Sequence, residues 1–268
     1  METPSIDVVI LSDLHLGSET SRAREALDLL RSLSFRRLIL LGDIFCDLNF
    51  RRLTKEHWHF LSYIRKLSNP KRGVEVIWVE GNHDTGLTNV MSHLVGVPVY
   101  QEYMWYAAGE RHLAIHGHQF DKFIARNPLM SELATRFYLV FQKLDRRRYF
   151  SRLLDRLNTR WQRLTPIVAR GALDYAEARG ATKVYCGHTH EPIAITWNGI
   201  HYYNTGCWTN GRPTYVAISG EEIAIHEYLE GADNCYSGKE RRKIVAASAE
   251  LACASGLLPD AEYESVPG

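Results

Sequence analysis

Acid, amide and imidazole side chains recur in this sequence in tight clusters, each just after a short apolar run. They are Asp13-Leu14-His15, Gly42-Asp43, Gly81-Asn82-His83-Asp84, His116-Gly117-His118 and Gly187-His188-Thr189-His190. The runs before them (Ile6 to Leu11, Arg37 to Leu41, Val74 to Val79, Leu113 to Ile115 and Lys183 to Cys186) are rich in β-branched residues and read as strands. In an α/β sheet the strand ends and the loops beyond them converge on one crevice, so the clusters would meet in space. Carboxylate and amide oxygens mixed with imidazole suit divalent manganese, iron or zinc, and there are more donors here than one four-coordinate ion takes. Two metal ions are implied. Each cluster alone is explained as a turn or a surface pair; their joint occurrence, each at a strand end, points to a site.

The elements that must position these residues follow from periodicity. Helical patterns over Ser21 to Leu33 and Leu53 to Leu67 alternate with the strands, as in a domain built from βαβ units. After His190 come short strands at Pro192 to Trp197, Ile200 to Tyr203, Pro213 to Ile218 and Glu222 to Tyr228, with turns at Asn198-Gly199 and Ser219-Gly220. Asn-Gly is a strong hairpin signal because a type I′ turn needs two residues tolerant of positive φ. Two mixed sheets packed together are expected, with Tyr203 to Trp208 forming a turn. From about Phe120 to Arg163 apolar residues recur at helical spacing, among them Phe137, Phe141, Leu144, Phe150, Leu153, Leu157 and Trp161. The expected organisation is one domain over residues 1–230, carrying a helical cap insertion at about 120–165, followed by a loosely attached tail over 231–268.

Composition narrows the class. With 268 residues, a net charge of +1, 45% hydrophobic and 24% charged residues, the chain has the balance of a soluble globular protein. A domain of this size buries a core without disulfides or structural metal, so metal here would serve chemistry. The five cysteines are odd in number, widely spaced and without a CxxC pair, which fits a reducing, cytoplasmic location and excludes a disulfide framework or zinc ribbon. No signal-peptide pattern is expected at the start, and no apolar run approaches the roughly 18 residues of a membrane span. Peripheral contact with the inner face of a membrane stays open. The near-neutral charge hides segregation. Residues 119–180 carry 13 basic and 6 acidic side chains, a local charge of +7 that leaves −6 elsewhere. Arg146, Arg147, Arg148, Arg152 and Arg156 lead this stripe, which reads either as a solvated helix face or as an anion-facing cap over an active site. On the second reading these arginines, with His118, are candidate substrate contacts.

The ordered set DxH, GD, GNHD, HGH and GHTH resembles the signature of the calcineurin-like metallophosphoesterase superfamily. The resemblance implies a four-layer αββα sandwich of two mixed sheets and a dinuclear centre, with manganese as the expected metal and iron or zinc as alternatives. It would place Asp13, His15 and His190 on one ion and Asn82, His116 and His188 on the other, with Asp43 bridging. It would make His83 the group that protonates the leaving oxygen or stabilises its charge, with Asp84 orienting the ring and favouring imidazolium. A hydroxide held between the ions would attack phosphorus in line while they clamp the phosphoryl oxygens, without a covalent enzyme intermediate. The chain departs from the signature at Cys46, where a second acid is usual. That role is either lost or taken by Asp47, and the thiol is either a buried spacer or a further ligand.

The insertion between HGH and GHTH, together with Gly42-Asp43-Ile44-Phe45, His116-Gly117-His118-Gln119-Phe120-Asp121 and Gly206-Cys207-Trp208-Thr209, resembles the UDP-2,3-diacylglucosamine diphosphatase family, which releases UMP during lipid A synthesis. A pyrophosphatase or phosphodiesterase acting on a lipid-linked or nucleotide-sugar substrate is then expected, its cap receiving acyl chains and its arginines facing phosphates or an anionic membrane surface. The best-known branch of that family has Arg where this chain has His83, and commonly an acid at His118. Two other readings stand beside it: a phosphoesterase on nucleotides or nucleic acid, with the Arg stripe tracking a backbone, and a binding scaffold that kept the fold without the chemistry. His57, His59, His93, His112, His201 and His226 lie within helix or strand patterns and read as packed or surface imidazoles.

Overall fold

The β-branched runs become strands β1 (Ile6–Leu11), β2 (Phe35–Leu41) and β3 (Glu75–Val79), which pair in parallel with one another and with β4 (Val99–Tyr100). This computed structural model describes residues 6–86, 92, 96–121, 159–209 and 212–229. A second group comprises β5 (Glu102–Ala107), β6 (Glu110–Ile115), β7 (Lys183–Cys186), β8 (Ile193–Trp197) and β9 (Ile200–Asn204), and the chain then returns to the first group with β10 (Thr214–Ser219) and β11 (Glu222–Glu227). The result is a six-stranded sheet in the order β11-β10-β1-β2-β3-β4 and a five-stranded sheet in the order β5-β6-β7-β9-β8. Both are mixed: β10 runs antiparallel to β1 and β11 in the first, while β6, β7 and β9 are parallel between the antiparallel flanks β5 and β8 in the second. The α-helices of the described residues are α1 (Ala23–Ser32), α2 (Lys55–Leu67) and α3 (Thr159–Ala178).

Alternation along the central strands sorts side chains into three apolar layers, as the period of two requires. Leu38, Leu40, Val76, Trp78, Tyr215 and Ala217 face α1 and α2 across one layer. Ile39, Leu41, Ile77, Val79, Val216 and Ile218 meet Trp105, Ala114 and Tyr185 of the other sheet. Leu113, Ile115, Val184 and Cys186 face Ala169, Ala172, Leu173 and Ala176 of α3. Strands covered on both faces have no polar side, which is why β2 and β7 read as nearly unbroken apolar runs. The four-layer order of helix, sheet, sheet and helix is thus the expected αββα sandwich.

The Asn198-Gly199 turn has φ of 48° and 74°, as a type I′ hairpin needs. Strands β4 and β5 are additions to the sequence reading: β5 pairs with β6 through a second positive-φ turn at Ala108 and Gly109 (49° and 78°), and Ala-Gly is a weak hairpin signal. Within the expected cap, the end from Thr159 onward is helix α3. Residues 122–158 and 230–268, which include Arg146, Arg147, Arg148, Arg152, Arg156 and the expected tail, lie outside the described residues. No helix among the described residues is long and apolar enough to cross a membrane.

Candidate metal centre

The first sheet supplies the ends of β1, β2 and β3, and the second supplies the ends of β6 and β7. Backbone and ring hydrogen bonds lock these edges together: His188 N–H donates to Asp13 Oδ2 at 3.1 Å, and His116 Nδ1 lies 2.9 Å from the Leu41 carbonyl across the sheet interface. Beyond their strands the first two loops continue side by side, with Asp13 N–H donating to the Gly42 carbonyl (3.1 Å) and His15 N–H to the Asp43 carbonyl (3.0 Å).

The chain bends sharply where these residues sit. Asp13, His15, Asp43, His188 and His190 have φ of 51°, 47°, 50°, 67° and 59°, and among the described residues the other non-glycine residues with positive φ are Ala108 and Asn198, both in hairpin turns. Such conformations cost about 1–3 kcal/mol each and persist where the surroundings over-determine them. The glycines beside them are spaces: a Cβ on Gly81 would lie 2.3 Å from Asp43 N and Oδ1, and one on Gly187 would lie 2.4 Å from Asp13 Oδ2.

Three overlapping donor clusters result, the ligand atoms of each within 4.8 Å of one another: Asp13, His15 and His190; His15, Asp43 and His83; and Asp43, His116 and His188. The first matches one expected ligand set. The third matches the histidines of the other, with Asp43 joining the second and third clusters. His83, expected at the centre as a proton donor, joins His15 and Asp43 in the second cluster. Each carboxylate divides its labour. Asp13 Oδ2 takes the Ser12 hydroxyl and the His188 amide, leaving Oδ1 toward His190 Nε2 at 3.2 Å. Asp43 Oδ1 accepts the His83 amide at 2.9 Å, and Oδ2 lies 3.3 Å from His116 Nε2.

These residues fit divalent cations. Asp13 Oδ1, Asn82 Oδ1 and His116 Nε2 are buried and lack a well-aligned hydrogen-bond partner, which burial makes costly unless another ligand completes them. A carbonyl can only accept, so His116 Nδ1 carries a proton and Nε2, on the Asp43 side, is the nitrogen left for a cation once its own proton is displaced. Electrostatics agree. Burial pulls the His116 and His190 imidazolium forms down, but Asp43 and Asp13 outweigh it and hold both near a pKa of about 9. Burial raises the Asp43 carboxyl, yet His116 and His83 bring it well below its ordinary value. Burial also depresses His15 and His118 to about 3, so both are neutral at pH 7.

One expected arrangement is corrected. Asp84 does not orient His83: its two oxygens accept the amides of Ile44 (3.1 Å) and Phe45 (2.9 Å), tying the loop after β3 to the loop after β2. The His83 ring is instead held by the Cys46 carbonyl, 2.8 Å from Nδ1, and Nε2 faces Asp43 Oδ2 at 3.9 Å. Burial and the Asp43 charge raise the Asp84 carboxyl to about 7 against those two amides, so it is a poor promoter of imidazolium. Asp47 does not replace the missing acid either. It accepts from Arg52 at 2.7 Å and from the Asn49 amide. Cys46 is buried, its thiol pushed up to about 11 by desolvation, which matches a spacer.

His118 opens a short 3-10 turn (His118–Phe120), its ring centroid 5.5 Å from that of His116. Two further histidines have structural work: His57 Nδ1 receives the Gly17 and Thr54 amides at the start of α2, and His112 stacks on Trp105 and Tyr185; His59 is exposed. Three supports went unread in the sequence. Ser12 braces Asp13, with Thr205 Oγ1 2.5 Å from its hydroxyl; Asn204 donates to the Gly187 carbonyl (2.6 Å) and Thr189 Oγ1 (3.1 Å), pinning the His188 to His190 loop; and Asp121 stands beside His188. Their residue types carry no mark that separates them from turn residues.

With this fold and donor set, the chain belongs to the calcineurin-like phosphoesterase family, whose profile matches residues 6–192. None of the curated proteins matches it. Among solved structures it is similar to wild-type Vps29 complexed with zinc from Entamoeba histolytica, with 15% identity over 84% of this chain and 94% of that chain and a TM-score of 0.45. It is also similar to YfcE, a phosphoesterase from E. coli, with 16% identity over 81% of this chain and 90% of that chain and a TM-score of 0.45. A predicted phosphoesterase from Streptococcus pneumoniae TIGR4 has 18% identity over 83% and 88% of the two chains, with a TM-score of 0.39.

Proposed function

We propose that this chain is a dinuclear, divalent-metal-dependent phosphoester hydrolase acting on a pyrophosphate or phosphodiester bond. The carrying observation is the convergence of Asp13, His15, Asp43, His116, His188 and His190 into overlapping clusters, most of them on strained backbone. Asp13, His15 and His190 would hold one cation and Asn82, His116 and His188 the other, with Asp43 shared. When bound, two such ions lower the pKa of water and neutralise charge on a phosphoryl group. The protein's own part is to fix these donors before substrate arrives. Asp43 does this by spending one oxygen on the His83 amide, and His116 by committing Nδ1 to the Leu41 carbonyl. His83 is the proton donor to the leaving oxygen: its Nδ1 proton is engaged by the Cys46 carbonyl, so its site-facing Nε2 donates only from the imidazolium form.

For the substrate, the segments Gly42 to Phe45, His116 to Asp121 and Gly206 to Thr209 support a lipid-linked or nucleotide-sugar pyrophosphate, with UDP-2,3-diacylglucosamine as the first candidate. The Arg-rich stripe supports an anionic substrate or membrane surface. The test is a panel of UDP-2,3-diacylglucosamine, nucleotides, cyclic nucleotides and short nucleic acids offered to the manganese-loaded protein and followed by phosphorus NMR. Release of UMP from the first supports this substrate. Cleavage confined to nucleotides or nucleic acid replaces it, and no cleavage of any member by protein carrying two ions overturns the hydrolase reading.

A further inference from the structure

The buried carboxylate of Asp121 takes no part in the donor clusters, yet it lies against one of their members. Asp121 and His188 are 1% and 2% exposed, and Asp121 Oδ2 is 3.5 Å from His188 Nε2. A carboxylate so deeply buried is costly unless it meets a donor or a charge. Its position is built with care. Gly117, with φ of 106°, turns the chain out of β6 into the 3-10 turn His118–Phe120, and Asp121 closes that turn by donating its amide to the His118 carbonyl at 3.1 Å. The turn docks on α3 through Phe120, whose ring lies where a Cβ on Gly171 would come within 2.7 Å and whose centroid is 5.9 Å from that of Tyr175.

We propose that Asp121 is the positioning carboxylate of His188. It accepts the Nε2 proton, fixes the ring's tautomer and orientation, and leaves Nδ1 as the nitrogen that binds the cation shared with His116. Asp121 would then play for His188 the part that the Leu41 carbonyl plays for His116, through an ion-pair approach of 3.5 Å where His116 has a 2.9 Å hydrogen bond. Such partners raise ligand basicity and typically contribute about 10–100-fold to metal affinity. The difference between the two lies in the acceptor. A carbonyl on a β-strand is supplied by the backbone whatever the sequence, whereas Asp121 is a side chain that a single substitution removes.

This inference rests on the metal-centre reading, so the experiment separates the two. Metal-free full-length wild type, Asp121→Ala, Asp121→Asn and Asp121→Glu are titrated with manganese alone in competition with a chelating dye. The expected result is two ions per chain in wild type. In Asp121→Ala one ion binds with wild-type affinity and the other about 10–100-fold more weakly. Asp121→Asn, which keeps an acceptor without the charge, falls between, and Asp121→Glu recovers most of the loss. Should Asp121→Ala fail to fold, the near-isosteric Asp121→Asn carries the comparison. Wild-type affinity at both sites in the variants overturns the role. Equal weakening of both sites also overturns it, because that marks support of the loop rather than of His188. A wild type that binds no ion contradicts the metal-centre reading itself.

Discussion

His83 is held by a backbone carbonyl rather than by a carboxylate, and this sets what it can do. The Cys46 carbonyl has no proton to give, so Nδ1 must carry one, and Nε2 can donate to a leaving oxygen only when the ring is doubly protonated. His83→Gln is therefore expected to lower turnover by about 10²–10⁴-fold with two ions still bound. Unchanged turnover in steady-state assays would exclude the proton-donor role. Asp84 has the opposite profile. Asp84→Asn keeps one acceptor oxygen but sets an amide NH2 against the other of the two backbone N–H groups, so a loss of about 1–3 kcal/mol in denaturant unfolding is expected. A ring-orienting role would instead show as lost turnover at unchanged stability. Residue type made Asp13, Asp43 and the histidines readable in the sequence. The Asp84 partners were not, because a side chain that ties two loops and one that aims a ring look alike until the loops are placed.

At the scale of elements, the strand ends were legible because burial on both faces leaves β1, β2, β3 and β7 as apolar runs that stop where the chemistry starts. Strand β5 was not. Glu102–Ala107 has one charged residue, three aromatics and a methionine in place of a β-branched run, and its turn lacks an Asn or Asp. The glycines of the clusters read as turn formers, but several are there for close approach. Gly81→Ala would drive a methyl into the Asp43 amide and carboxylate, 2.3 Å away. Overpacking of this kind costs about 1–3 kcal/mol, and here it would also tilt Asp43. The expected outcome is a lower melting temperature together with manganese binding below two ions per chain. A variant with wild-type metal content would show that the Gly81 loop yields without moving Asp43.

Across the whole molecule the charge of the sequence is segregated, with +7 over residues 119–180 and −6 elsewhere. The acidic core is matched by protons in the metal-free chain. Asp43 and Asp13 keep His116 and His190 protonated up to about pH 9, so a cation must displace those protons to reach the ring nitrogens. Manganese affinity is thus expected to rise with pH from neutrality toward pH 9, with net proton release measurable by calorimetry in buffers of different ionisation enthalpy. The αββα plan was legible because apolar strand runs alternate with helical patterns. Substrate choice was not, because a set of metal donors defines a reaction class and leaves the substrate open. The most direct test is the number of manganese ions bound per chain in wild type and Asp43→Asn, by calorimetric titration of the metal-free protein. Two ions in wild type and fewer than two in Asp43→Asn is the expected result; no binding in wild type, or two ions at unchanged affinity in Asp43→Asn, would contradict a dinuclear centre bridged by Asp43.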